Sequence, residues 1–276
     1  MSWPSRAQAE WATVRQQKNQ SNRRQTLRCS LGAAICAVVV ALFANTARNT
    51  VGAQAADTAA GTDLYYFGLL TRGPAWTPEQ TDATRKIQEG HMANINRMAE
   101  LGALKAAGPI DGDQRLRGIF IFKVKTADEA RTLAASDPAI QAGRLALDLH
   151  PWIGPAGIGE RFANEKKTDP AFKVKMRTYQ LALLSLAPGA SKAGPDEERA
   201  HDEYVATFKT RGKVAASGPT RDGGALREVL ILDVDAAEAA RMVASDPMVR
   251  SGKVRAELLT WWCAEHVLPD AAAHPR

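Results

Sequence analysis

The chain has 276 residues, 45% apolar and 24% charged, a composition that suits two ordinary globular domains and argues against disorder. Its formal net charge of +6 belongs to the first 55 residues, which carry seven Lys and Arg against one Glu and leave 29 basic and 29 acidic residues for the rest. A nucleic-acid binder needs its basic surface on the folded part, so no nucleic-acid partner is expected.

The chain opens with a leader. Arg23, Arg24 and Arg28 precede an uncharged run over residues 31–44, and the small-residue site Ala53-Gln54-Ala55 follows, in the order of a secretory signal. The run falls short of the roughly 20 residues that cross a bilayer comfortably. The expectation is a signal peptide over residues 1–55, cleaved after Ala55, and a periplasmic or secreted mature chain; an uncleaved N-terminal membrane anchor is the alternative. Asn22 to Arg28, NRRQTLR, resembles the twin-arginine export signal but carries Thr26 where a large apolar residue is usual, so Sec and Tat export both stay open. Cys29 and Cys36 fall in this segment. Cys263 alone would then survive processing, and burial is its expected state.

Beyond the leader the sequence repeats itself. His91 begins HMANINRMAELGALKAAGP and His201 begins HDEYVATFKTRGKVAASGP, with Gly102 and Gly212, then Gly108-Pro109 and Gly218-Pro219, at matching distances. ADEARTLAASDP, ending at Pro138, matches AAEAARMVASDP, ending at Pro247. Each is followed by Gly143 or Gly252, Asp148 or Glu257, and Trp152 or Trp261 at matching spacing. This is a duplication, and it sets the fold class.

Each copy predicts β-α-β-β-α-β. The first strands, residues 64–71 and 176–186, are rich in residues that suit a half-buried pleat. In the first helices Ile87, Ile95, Met98 and Leu101, and Tyr204, Val205 and Phe208, recur at helical spacing as apolar stripes, and Gly102 and Gly212 stop them. Strands over 103–107 and 118–125, and over 213–217 and 227–234, flank turns bearing Asp111, Gly112 and Asp113, or Asp222, Gly223 and Gly224. A second helix runs to the Asp-Pro, and a last strand ends at the Trp. The expected domains are 62–153 and 173–264, joined by a linker over 154–172. The expected architecture is α+β: two ferredoxin-like units packed sheet to sheet, so that neither leaves an apolar face bare.

Both halves resemble the YCII-related domain, which is similar in fold to the muconolactone isomerase-like dimeric α/β barrels. The residues that carry this are the histidine of the first helix, the Gly-Pro entering the second strand, the Glu-Ala of the second helix, the Asp-Pro and the closing aromatic. The resemblance implies an active-site pair in each copy, His91 with Asp137 and His201 with Asp246, and a barrel formed by the two copies within one chain. A few relatives act on small hydroxylated or chlorinated aromatic compounds.

On physical grounds histidine suits proton transfer, with a reference pKa of about 6.5 and a carboxylate able to fix its tautomer. No serine or thiol recurs beside the histidines, so a shuttle for isomerisation, elimination or decarboxylation of a small molecule fits better than hydrolysis. No cofactor is implied, and one His and one Asp per copy fall short of a metal's usual three or four ligands. The rival reading is a non-catalytic small-ligand-binding or structural module. Asp137 and Asp246 would then cap short helical turns led by the following Pro, and the histidines would be bystanders. His150, His266 and His274 have no repeat partner and read as incidental. Trp152 and Trp261 read as core or interface aromatics, and Tyr66 and Tyr179, on equivalent first strands, either line a cleft near the histidine or are half-buried strand packing.

Overall fold

The computed structural model describes residues 61–112 and 115–269, all within one compact unit spanning Thr58–Arg276. The expected leader, Asp113 and His274 lie outside the described residues. Among the described residues no helix is long and apolar enough to cross a membrane.

The first copy runs β1 (Thr62–Arg72), α1 (Asp82–Glu100), β2 (Leu104–Pro109), β3 (Leu116–Phe122), α2 (Ala127–Ala135), α3 (Pro138–Gln141) and β4 (Leu145–Pro155). After α4 (Glu160–Thr168) the second copy repeats the order: β5 (Met176–Leu186), α5 (Pro195–Lys209), β6 (Val214–Pro219), β7 (Leu226–Leu232), α6 (Ala236–Ser245), α7 (Pro247–Arg250) and β8 (Val254–Ala264). The strand orders are β2-β3-β1-β4 and β6-β7-β5-β8, antiparallel throughout, which is the ferredoxin-like arrangement the duplication predicted.

Both faces of β1 are buried, which is why its sequence reads as a continuous apolar run instead of an alternation. Tyr65, Phe67 and Leu69 enter a core shared by the two copies, and the alternate residues Tyr66 and Leu70 are covered on the opposite face. The shared core holds Ile119, Ile121 and Trp152 from the first copy and Leu181, Val229, Ile231 and Trp261 from the second. The sheets also join at their edges. Arg221 N donates to Pro151 O at 2.8 Å where β4 meets β6, and Asp111 N donates to Thr260 O at 2.8 Å where β2 meets β8. Eight strands therefore close into a barrel, and closure removes the free sheet edges that invite aggregation.

Helix ends follow the sequence closely. Thr81 caps α1, its hydroxyl accepting from Thr84 N at 3.2 Å while Thr84 Oγ1 accepts from Thr81 N at 2.9 Å. Gly102 and Gly212 adopt φ of 72° and 68°, and Ala103 N and Lys213 N reach back to Met98 O and Phe208 O to close each helix.

Two expectations needed correcting. Leu101 is not on the buried stripe of α1: it lies beyond the last turn and is 62% exposed, and His91, Asn94, Ile95 and Met98 form the buried side. The closing strands do not stop at the tryptophans, since β4 reaches Pro155 and β8 reaches Ala264, each three residues further. The segment after β4 is more than a spacer. Ile158 is fully buried in the shared core beside Val267 and Leu268, and Gly159 N donates to Val267 O at 2.6 Å.

Candidate functional site

In the first copy α1 crosses the sheet face opposite the barrel core and brings His91 to the start of α3. Gly90 permits this approach, because a Cβ there would lie 2.9 Å from Pro138 Cγ. His91 Nδ1 meets Asp137 Oδ2 at 2.8 Å, and the other carboxylate oxygen, Oδ1, accepts from Ala139 N at 2.8 Å as the helix cap. Asp137 thus caps α3 with one oxygen and holds the imidazole with the other. Asp137 is fully buried. Asn94 Nδ2 donates to Asp137 Oδ2 at 3.4 Å, and Arg97 in turn donates to Asn94 Oδ1 at 2.9 Å and Ser136 Oγ at 2.7 Å. The His91 ring stacks on Phe120 at 6.1 Å between centroids. An ionised carboxylate only accepts, so the proton of the pair sits on His91 Nδ1, and Nε2 makes no hydrogen bond to the described residues.

The second copy repeats the pair and then closes it. His201 Nδ1 meets Asp246 Oδ2 at 2.7 Å, and Asp246 Oδ1 accepts from Met248 N at 2.9 Å. His201 Nε2, however, meets a second carboxylate, Glu228 Oε2, at 2.6 Å. Burial pulls the His201 imidazole down, but the hydrogen bonds and charges of Asp246 and Glu228 outweigh it and raise its pKa to about 10. His201 is thus a standing imidazolium at neutral pH.

The difference has a definite place in the fold. Glu228 on β7 is paired with Leu184 and Pro219, and Gly118 on β3 is paired with Leu70 and Pro109, the matching residues. Where the second copy has a carboxylate, the first has no side chain. His91 correspondingly keeps 9% exposure where His201 keeps 2%.

Residues 73–152 match the family model described as the YCII-related domain. The first copy is thus similar to the YCII-related domain over most of its length. A solved structure described as a novel heme-binding protein from Thermus thermophilus is 11% identical, with 74% of this chain and 92% of that chain covered and a TM-score of 0.42. No curated protein matches the chain.

The two copies also use residues that the sequence left idle. His150, read as incidental, is buried on β4, and its Nδ1 crosses the seam to Asp222 Oδ2 of the second copy at 2.6 Å. Its Nε2 lies 3.3 Å from Asp148 Oδ2 without a hydrogen-bonding angle. Burial raises the Asp222 carboxyl, but the bonds from Gly224 N and His150 prevail and lower it overall. His266 pairs with Glu165 of α4 at 2.6 Å. Trp152 and Trp261 are fully buried and donate across the seams to Gly218 O at 2.9 Å and Gly108 O at 3.2 Å. Tyr179 pairs in register with Trp261 as Tyr65 does with Trp152, so Tyr66 is one residue out of step with it and no tyrosine pair lines the two sites. Cys263 is buried in the barrel core, and burial pushes its thiol far up, as an inert cysteine. Among the described residues no cluster of His, Cys, Asp and Glu is arranged to hold a metal.

Of the residues missed, Asn94 and Arg97 carried a signal, since they lie three and six positions after His91 and share its helix face. Glu228 carried none: a charged residue in a short strand reads as solvated until the register is known.

Proposed function

We propose that this is an exported protein whose first copy handles a small organic molecule by acid–base chemistry at His91, while the second copy serves as its structural counterpart. The observation that carries this is the His91–Asp137 pair, with Nδ1 committed to a buried carboxylate and Nε2 left to exchange a proton. Asp137 orients the ring and stabilises the imidazolium formed when Nε2 accepts a proton. A single shuttle without a nucleophile suits removal of a proton from an enolisable carbon or a phenolic oxygen and its return nearby. Isomerisation, elimination or decarboxylation are reactions of that kind. The second reading, a binding or structural module without catalysis, is favoured in the second copy, where His201 lies between two carboxylates.

The test is nitrogen-15 NMR of the imidazoles with a panel of small phenols and enolisable acids, in the wild type and in Asp137→Asn. Asparagine retains an oxygen for the Ala139 cap and turns its NH2 toward His91, so the variant should fold and carry the opposite His91 tautomer. Ligand-dependent shifts at His91, lost in the variant, support the reading. A ring that ignores every compound and keeps its tautomer in Asp137→Asn sinks it.

A further inference from the structure

We infer that the site of the first copy takes a small organic carboxylate at His91 Nε2, in the position that Glu228 occupies in the second copy. The inference rests on the acid–base reading of His91 and names the ligand class of that same site. Its basis is internal: the chain contains two versions of one site, and in one of them the ligand position is filled by the chain itself.

Both histidines are held the same way, through Nδ1 to the aspartate that caps the following helix, at 2.8 Å and 2.7 Å. Gly118 and Glu228 stand at the same register position, opposite Leu70 and Leu184 on one side and Pro109 and Pro219 on the other. The Glu228 carboxylate reaches His201 Nε2 at 2.6 Å, so this scaffold accommodates an anionic oxygen beside the paired imidazole. In the first copy an external carboxylate can make the same charge-assisted bond once Nε2 has taken up a proton, as the imidazolium of His201 does with Glu228.

The surrounding charges agree. Arg97, one helical turn and a half beyond His91, donates to the neutral oxygens of Asn94 and Ser136, whereas the second copy has Thr207 at that position. Side chain for side chain, the first site has Arg97 where the second has Thr207 and lacks the Glu228 carboxylate, so it presents less negative charge to an incoming carboxylate. Phe120, buried and stacked on His91 and edge-on to Phe122, where the second copy has Leu230 and Leu232, backs the imidazole from the sheet side.

The experiment uses benzoate, with benzamide as its neutral isostere, and follows the His91 and His201 imidazoles of the purified protein by NMR. Benzoate should shift His91 saturably and leave His201 unmoved, with benzamide at least about tenfold weaker because it brings no charge. Gly118→Glu should abolish the response at His91. A Cβ there would lie 3.0 Å from Gly108 O, so the hairpin must yield by a few tenths of an ångström. Glu228→Gly should create a benzoate response at His201, and it serves independently if Gly118→Glu does not fold. Equal binding of benzamide and benzoate, lost in Asp137→Asn, overturns the carboxylate assignment and leaves the acid–base reading standing. Silence of His91 to both, with the ring also unaffected in Asp137→Asn, overturns both.

Discussion

His201 sits in the fold as an imidazolium between Asp246 and Glu228, and this has a signed consequence for stability. Its pKa is about 10 in the folded chain against a reference of about 6.5, so the fold binds this proton more tightly than the unfolded chain does. The stabilisation is fully present below about pH 6.5 and is lost as pH rises through about 10. Urea unfolding between pH 6.5 and pH 10 should show a falling free energy in the wild type and a flatter profile in His201→Gln. A wild-type profile no steeper than the variant's would contradict the clamp. At neutral pH His201→Ala should cost about 3–5 kcal/mol, because it leaves two carboxylates facing each other without their cation. The repeat made His91 equivalent to His201 and Asp137 to Asp246, and the family resemblance implied their pairing. What separates the two sites is position 118 against position 228, a difference between Gly and Glu that means nothing until strand pairing puts Glu228 against an imidazole.

At the scale of elements, the Gly-Pro that ends the second strand of each copy was visible in the sequence, but the reason for its glycine was not. A Cβ on Gly108 would lie 1.8 Å from Trp262 O, and one on Gly218 would lie 1.8 Å from Ile153 O, backbone atoms of the other copy that cannot step aside. These glycines let β2 meet β8 and β6 meet β4 across the seams that the two tryptophans span. Gly108→Ala or Gly218→Ala should therefore destabilise the barrel by about 3 kcal/mol or more, at the upper end of overpacking costs. Gly102→Ala, at φ of 72° with open space around it, should cost only about 1 kcal/mol. Urea midpoints of the three variants check this, and equal losses would refute the steric account of the seam. Helix ends were the most legible elements because caps and stops act within a few residues. Leu101 was misplaced because periodicity continues on paper past the point where Gly102 turns the chain away.

For the whole molecule the decisive feature is the core that the two copies share. Tyr65, Phe67, Leu69, Ile119 and Ile121 are covered by Leu181, Val229 and Ile231, so neither sheet has a finished interior by itself. The first copy produced alone, residues 61–156, should pair with a second copy of itself or aggregate, since the bare face is a large apolar patch. Sedimentation of that fragment decides the matter: a monodisperse folded monomer would contradict the shared-core account. The sequence by itself determined the duplication, the order of strands and helices, the helix ends and the matching positions of His and Asp-Pro in the two copies, because repetition, periodicity and capping are written in near neighbours along the chain. Only the tertiary structure decided that β4 joins β6 and β8 joins β2, that His150 bridges the copies to Asp222, and that one of two like sites is closed by Glu228. Those outcomes depend on residues 27 to 153 positions apart meeting within hydrogen-bonding distance, and such meetings are set by strand register and barrel closure.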